Sequence, residues 1–381
     1  MNYVDLRRVL QRCAVSALLW LPSAALAQSG GYIVTLGRDT VAIERYTRNG
    51  TRIEGEVLRR LPQTSLLKYV LTLNADGSAK TYEQTVTRPD GSAMPNAPGT
   101  FTMTFTGDSV ERRSVQNGQP STVRNATPGP TLPTIAYSFV DFELLIAAGK
   151  KSGVAYTIGF NPQSDAVKAD VRMVGNDSAD VVQFGFRSGF KLDRAGHIVR
   201  GDGTLTTAKL IALPLPNPDI ATMMAAWAAK DSQSGPMGPA SPRDTVKATV
   251  AGANIVIDYG RPAKRGREIW GKLVPYDTTW RLGANAATQL RTDKDLDFGG
   301  VKLPAGFYTL FLYPTAEKAW LLVNSQTGQW GTEYDSTKDV ARIPLEKHMS
   351  LATEEERFRI FVDGDVLMLH WDRGGYGVRI K

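Results

Sequence analysis

The stretch Ser241–Asn285 gathers the side chains best suited to hold a small charged molecule. Arg261, Lys264, Arg265 and Arg267 fall close together, interrupted by Pro262 and Gly266. Proline and glycine give such a loop a restricted shape. Guanidinium forks offered from it can grip a carboxylate, sulfate or phosphate through paired hydrogen bonds. Trp270, Tyr276 and Trp280 follow, and their flat faces suit sugar rings or guanidinium groups. Arg281 and Asn285 add planar polar groups beyond Trp280. The candidate ligand-binding residues are therefore Arg261, Arg265, Arg267, Trp280, Arg281 and Asn285, for a small anionic or carbohydrate ligand. A structural reading competes with this one. In it Arg281 pairs internally with Asp258, Glu268 or Asp277, Trp270 and Trp280 plug one end of a sandwich, and Asn285 bonds loop backbone.

Other chemistry is thinly represented. The histidines are His197, His348 and His370, none at metal-ligand spacing from another ligand type, so no metal and no cofactor is expected. His370 lies in a strand beside Val366 and Met368 and reads as structural. His197, after Gly196, and His348, in a loop, read as solvated. No serine sits in G-x-S-x-G. Gly107-Asp108-Ser109-Val110 and Ser65-x-x-Lys68 match short hydrolase patterns, but the first lies between β-hairpin strands, not near the start of an α/β domain, and the second begins a strand, not a helix. There is no glycine-rich phosphate loop, and Glu354-Glu355-Glu356 reads as a solvated strand edge. No residue is assigned as catalytic. The alternative to a binding module is a hydrolase of envelope polymers using a carboxylate pair such as Asp258 and Glu268. A third alternative is a structural or partner-docking module.

The N-terminus places the chain outside the cytoplasm. Arg7, Arg8 and Arg12 precede an apolar run from Ala14 to Leu21, and Ala25-Leu26-Ala27 is a small-x-small cleavage site. Residues 1–27 read as a secretory signal peptide, too short to anchor the chain by spanning a bilayer. The mature protein is expected to be periplasmic or secreted, with no transmembrane segment. The single cysteine, Cys13, lies inside this segment, so the mature chain makes no disulfide. The precursor's charge of +7 falls to near +5 once Arg7, Arg8, Arg12 and Asp5 are removed. An exported protein meets no nucleic acid, and this charge reads as solubility.

The elements that must position the candidate residues read as all-β. Apolar content of 42%, with 36 glycines and 21 prolines, supports turn-rich globular domains. From 28 to 231 the pattern gives a β-rich domain. Asn49-Gly50 and Asp76-Gly77 are hairpin turns. Phe101, Met103 and Phe105 alternate with threonines in a half-buried strand. Asn117–Pro133 reads as loop. Thr134–Ala148 changes to helical period and is expected to end at Gly149. The layout is an N-terminal curved antiparallel sheet, half-barrel-like, with one packed helix. It loosely resembles the half-barrels of periplasmic lipoprotein carriers, and it could hold an apolar ligand between sheet and helix. Asp219 caps a short alanine-rich helix up to Lys230. Residues 232–242, rich in Gly, Pro and Ser, read as a linker. Residues 243–381 form a second domain, a C-terminal β-sandwich or jelly roll, with Gly306–Tyr313 apolar on both faces as its central strand.

A longer set of motifs runs collinearly through the last third. It comprises Ser241-Pro242-Arg243, then Ile255-x-x-x-Tyr259-x-Arg261-Pro262, then Arg265-Gly266-Arg267-x-Ile269-Trp270-Gly271. It continues with Leu273-Val274-Pro275-Tyr276 and Trp280-Arg281-x-Gly283-Ala284-Asn285. Leu303-Pro304-Ala305-Gly306-x-Tyr308-x-Leu310, and Trp330-Gly331 with Tyr334, complete it. In these residues the region 241–381 resembles the bacterial family named domain of unknown function 2911. The resemblance implies a domain and carries no activity or catalytic residue with it.

Overall fold

The computed structural model describes residues 28–94, 98–116, 118–159, 161, 164–206, 208–349 and 351–381. The signal-peptide segment 1–27 lies outside the described residues. The fold is all-β, as the sequence implies, with two helices among the described residues.

The N-terminal region forms one fifteen-stranded sheet. Successive hairpins step outward from Gln28–Leu36 to Gln119–Ala126 on one side. On the other side they step from Ile211–Pro214 back to Val154–Ile158, and Gln28–Leu36 pairs with Ile211–Pro214 to join the two series. Pairing is antiparallel except for Thr131–Pro133, which runs parallel to Val154–Ile158 at the edge. The expected turns are in place. Gly50 and Gly77 both take positive φ, and Asp76 accepts a hydrogen bond from the Ser78 backbone. Gln119–Ala126, expected as loop, is an edge strand. It was hidden because neither of its faces is buried, so its sequence carries no apolar alternation.

Helix α1 (Val140–Ser152) packs against this sheet. It starts six residues later than the periodicity suggests and runs past Gly149 to a left-handed cap at Gly153. Gly149 is a contact, not a stop. A Cβ there would stand 2.4 Å from a Val171 methyl, so glycine lets the helix lie close on the strand Val167–Met173. The helix N-terminus is held by a strand residue. Glu44, fully buried, accepts hydrogen bonds from the Phe139 backbone N–H at 2.6 Å, the Ser138 hydroxyl at 2.5 Å and the Tyr69 hydroxyl at 3.0 Å. It takes the place of a local capping side chain, which α1 lacks. His197, expected in solvent, instead bonds Glu143 of α1 at 3.2 Å.

Helix α2 (Ile220–Ser234) is capped by Asp219 as expected, through the Thr222 N–H. It covers the opposite face of the sheet, where Ile220 and Trp227 pack on Ile43, Leu58 and Leu66. Its last turn extends into the segment expected as linker. The remainder of that segment is tethered, since the Gly238 N–H donates to Pro62 O and Met237 and Ala240 rest on the N-terminal core.

The C-terminal region forms a nine-stranded antiparallel sheet running from Arg243–Val250 to Glu355–Asp363. The strand Asp339–Met349 makes its corner. Its first half pairs with Ala319–Asn324, and its second half pairs with Gly374–Arg379. A strand that changes partners in this way folds one sheet over into two facing layers. The edge strands Arg243–Val250 and Glu355–Asp363 then meet, so the structure approaches a closed barrel. Tyr259, Phe298, Phe358, Trp371 and Tyr376 fill its core.

Candidate functional site

Most of the signature residues in Ser241–Asn285 sit in irregular backbone between the strands Ala253–Gly260 and Thr288–Thr292. This segment faces the N-terminal sheet. A cavity of about 240 Å³ lies between the two, lined by Tyr137, Lys209 and Leu210 from one side and by Arg265, Arg267, Trp280, Arg281 and Asn285 from the other. The tethered segment contributes Pro239 and Ala240. Five of the six residues singled out from sequence are therefore brought together. The sixth, Arg261, is not among the lining. It pairs with Asp244 at 3.0 Å and donates to Phe358 O at 3.2 Å.

The five differ in what they have left to offer. Arg265 is almost fully buried and is committed to the joint between the sheets. Its guanidinium pairs with Asp39, its N–H donates to Glu356 at 2.8 Å, and its carbonyl accepts from the Arg38 N–H at 2.9 Å. Arg267 is half committed. It donates to the carbonyls of Lys264 and Ala263 at 3.0 and 2.7 Å and makes no ion pair among the described residues. Trp280 is fixed by stacking on Trp371 at 5.9 Å and by an edge contact to Phe358 at 5.1 Å. Its backbone pairs with Leu312 in both directions. Asn285 is exposed, in a left-handed conformation at φ 62°, and its carbonyl accepts from the Gly331 N–H.

Arg281 stands apart. Among the described residues its guanidinium has no hydrogen-bond or ion-pair partner, and its Nε is buried without one. The internal acids proposed for it are engaged elsewhere or exposed. Asp258 pairs with Arg243, while Asp277 and Glu268 face solvent. Burial pulls the Arg281 pKa below its ordinary value, with no opposing contribution from a carboxylate. The side chain lies against Gly331, where a Cβ would meet its Cδ at 2.4 Å.

Lys209 comes from the N-terminal region and was not visible as a site residue from sequence. Its ammonium donates to Thr204 O at 3.0 Å. Its pKa is lowered by burial first and then by the positive charges of Arg281 and Arg267. The same Lys209, Trp280 and Arg281 also border a second, wider cavity of about 440 Å³, completed by Thr278, Gly331 and Tyr334. Tyr137, Lys209, Arg265 and Asn285 are four of the ten non-glycine residues at positive φ among the described residues. For Tyr137, Lys209 and Arg265 such a conformation costs about 1–2 kcal/mol, whereas asparagine adopts it readily, and strain of this kind gathers at binding sites.

The carboxylates suggested for hydrolysis do not form a pair. Asp258 is on a strand beside Arg243, and Glu268 is on an exposed turn. The buried carboxylates among the described residues are Glu44, beneath α1, and Asp141, in its first turn, both raised in pKa by burial, and Asp180, which pairs with Arg172 and Arg187. Among the described residues no three His, Cys, Asp or Glu side chains are grouped to hold a metal. His370 is buried with its Nε2 unpartnered. No helix among the described residues is long and apolar enough to cross a membrane.

Residues 241–380 match the model of a family described as "Protein of unknown function (DUF2911)", the region whose motifs carry that resemblance. No curated protein matches the chain. Among solved structures, the chain is similar to a DUF1089 family protein from Pseudomonas aeruginosa, with 13% identity and a TM-score of 0.32 over 42% of this chain and 89% of that one. It is also similar to a β-barrel-like protein of domain of unknown function DUF1849 from Brucella abortus, with 13% identity and a TM-score of 0.29 over 49% and 94%.

Proposed function

We propose that the protein is a binding module of the cell envelope whose cleft between the two sheets takes a small anionic ligand. One observation carries the reading. Arg281 lines the cleft without a counter-charge among the described residues, beside Lys209 and Arg267, and each of the three has its pKa lowered by burial. Partly buried cations that repel one another are costly unless an anion joins them. A carboxylate, sulfate or phosphate between Arg281 and Lys209 would supply the missing charge, and Trp280 would wall one side of it. A sugar acid meets both features.

Calorimetric titration with sulfate, phosphate, citrate and glucuronate tests the reading. Charge-assisted hydrogen bonds contribute about 1.5–3 kcal/mol each, so Arg281→Ala is expected to weaken binding by roughly 10-fold to 150-fold. Arg261→Ala, whose partner is Asp244, is expected to leave it unchanged. Equal binding by wild type and a folded Arg281→Ala variant refutes the site.

Placement in the envelope is supported by the basic, apolar and small-x-small sequence of residues 1–27. Mass spectrometry of the chain recovered from fractionated cells is expected to find an N-terminus at Gln28. An uncleaved chain confined to the cytoplasm refutes export.

A further inference from the structure

A third cavity, of about 210 Å³, opens beside the cationic cleft within the N-terminal sheet. Its wall is aromatic: Phe139 and Phe142 from the start of α1, and Phe184, Phe186 and Phe190 from the facing hairpin. Phe142 and Phe190 are in ring contact at 4.9 Å, and Phe139 and Phe142 at 5.6 Å. Phe184 sits at the hairpin turn with a positive φ of 53° and is 56% exposed. A large apolar side chain is a poor choice for such a turn, where asparagine or glycine costs less. Its exposure and strain remain unexplained by packing, and both place an aromatic ring at the rim of the cavity.

The aromatic cavity and the cationic cleft are contiguous. Ala208 and Leu210 line both this cavity and the cleft of Arg265, Arg267 and Arg281. Phe186 and Thr206 line both this cavity and the wider one bordered by Lys209 and Arg281. Lys209 therefore stands at the junction, one residue from the shared Ala208 and Leu210. A single molecule can reach apolar and cationic walls together only if it has an apolar body and an anionic end.

Building on the anion-binding reading, we infer that the ligand is a single-chain anionic amphiphile. Its carboxylate or sulfate end would lie between Lys209 and Arg281, and its hydrocarbon end among Phe142, Phe184, Phe186 and Phe190. Burying each further methylene strengthens binding by about fourfold until the aromatic cavity is filled.

The test is calorimetric titration of the full mature chain with butanoate, hexanoate, octanoate and decanoate, and with decanol and decyltrimethylammonium, all below their micelle-forming concentrations. The expected result is affinity rising about fourfold per methylene, decanoate well above decanol, and no binding of the cationic amphiphile. Phe186→Ala is expected to flatten the chain-length dependence. Lys209→Ala/Arg281→Ala is expected to bring decanoate down to decanol. Sulfate or glucuronate binding without chain-length dependence overturns the amphiphile and leaves the anion site standing. Decanol binding as well as decanoate overturns the charged end and, with it, the anion site as the seat of this ligand. Absence of binding by every probe overturns both readings.

Discussion

Replacing Glu44 by glutamine is expected to stabilise the protein above neutral pH and to leave it unchanged in acid. Glu44 is fully enclosed beneath α1, and burial raises its pKa from 4.5 to about 7 against the opposing pull of its hydrogen bonds. The folded state therefore holds a proton that the unfolded chain has released. Between pH 4.5 and 7 folding takes up that proton, so stability present below pH 4.5 is lost as pH rises through about 7. A shift of this size corresponds to roughly 3 kcal/mol. Glutamine keeps the shape and the bonds. Its carbonyl can accept from the Phe139 N–H, and its amide can donate to the Tyr69 and Ser138 hydroxyls, which rotate to accept. The assay is urea unfolding of wild type and Glu44→Gln at intervals from pH 4.5 to 8. Asp141, raised in pKa by burial first and also by the Glu44 charge, titrates in both proteins, so the difference between the two curves reports Glu44 together with its coupling to Asp141. The curves are expected to meet near pH 4.5 and to separate by roughly 3 kcal/mol at pH 8, with the variant above. Parallel curves across the range would show that Glu44 is not held protonated by its burial. Glu44→Ala, in contrast, is expected to lower stability at every pH, because each stranded buried donor costs about 1–3 kcal/mol.

Two further outcomes bear on the joint and the cleft. The Arg265 side chain is 5% exposed and its partner Asp39 is 29% exposed, so the two halves of the pair are unequal. Asp39→Ala leaves a buried guanidinium without its counter-ion and is expected to cost roughly 3 kcal/mol in urea unfolding, whereas Arg265→Met leaves a carboxylate in reach of water and is expected to cost about 1 kcal/mol or less; equal costs would mean that the pair does not carry the joint. Gly331→Ala drives a methyl into Arg281 Cδ and the Asn285 carbonyl, so it is expected to lower anion affinity about tenfold while the circular dichroism spectrum stays that of the wild type, and unchanged affinity would show that Arg281 is not positioned by this contact.

Much of the fold was legible because its signals are local. Asn49-Gly50 and Asp76-Gly77 declare their hairpins within two residues, and Asp219 declares the start of α2 within four. The features that were not legible depend on partners distant in sequence. The start of α1 is fixed by Glu44, about a hundred residues upstream, so the helical periodicity beginning at Thr134 misplaced it. Gly149 reads as a helix stop unless Val171 is known to lie against it. In the cleft, the arginine and tryptophan cluster was visible as a cluster, but sequence could not sort its members. Arg261 and Arg265 have acidic partners at Asp244 and Asp39, one nearby and one more than two hundred residues away, while Arg281 has none among the described residues. Lys209, in the run Thr206–Leu210, carries no local mark of a site; only its arrival opposite Arg281 makes it one.

That sorting bears on what the motif-rich C-terminal region can do by itself. Of its arginines, Arg243 ties Asp258 to the carbonyl of Ala286, Arg261 ties Asp244 to Phe358, and Arg265 ties the region to Asp39. These hold the loops that present Trp280, Arg281 and Asn285, and among the described residues they leave the Arg281 guanidinium without an acidic partner. A single partly exposed arginine binds a small anion weakly, because its Coulomb attraction in water at contact distance is only about 1 kcal/mol. The N-terminal region adds Lys209 to the same cavities that Arg281 lines. It also adds the aromatic cavity. None of these contributions lies within residues 241–380. The C-terminal region supplies a presented arginine and a tryptophan wall, and the N-terminal sheet supplies the other side of the cleft. On the proposed reading, Lys209 contributes to ligand selectivity alongside the signature residues, so exchanging residues 200–210 is expected to alter anion affinity while leaving the C-terminal barrel folded.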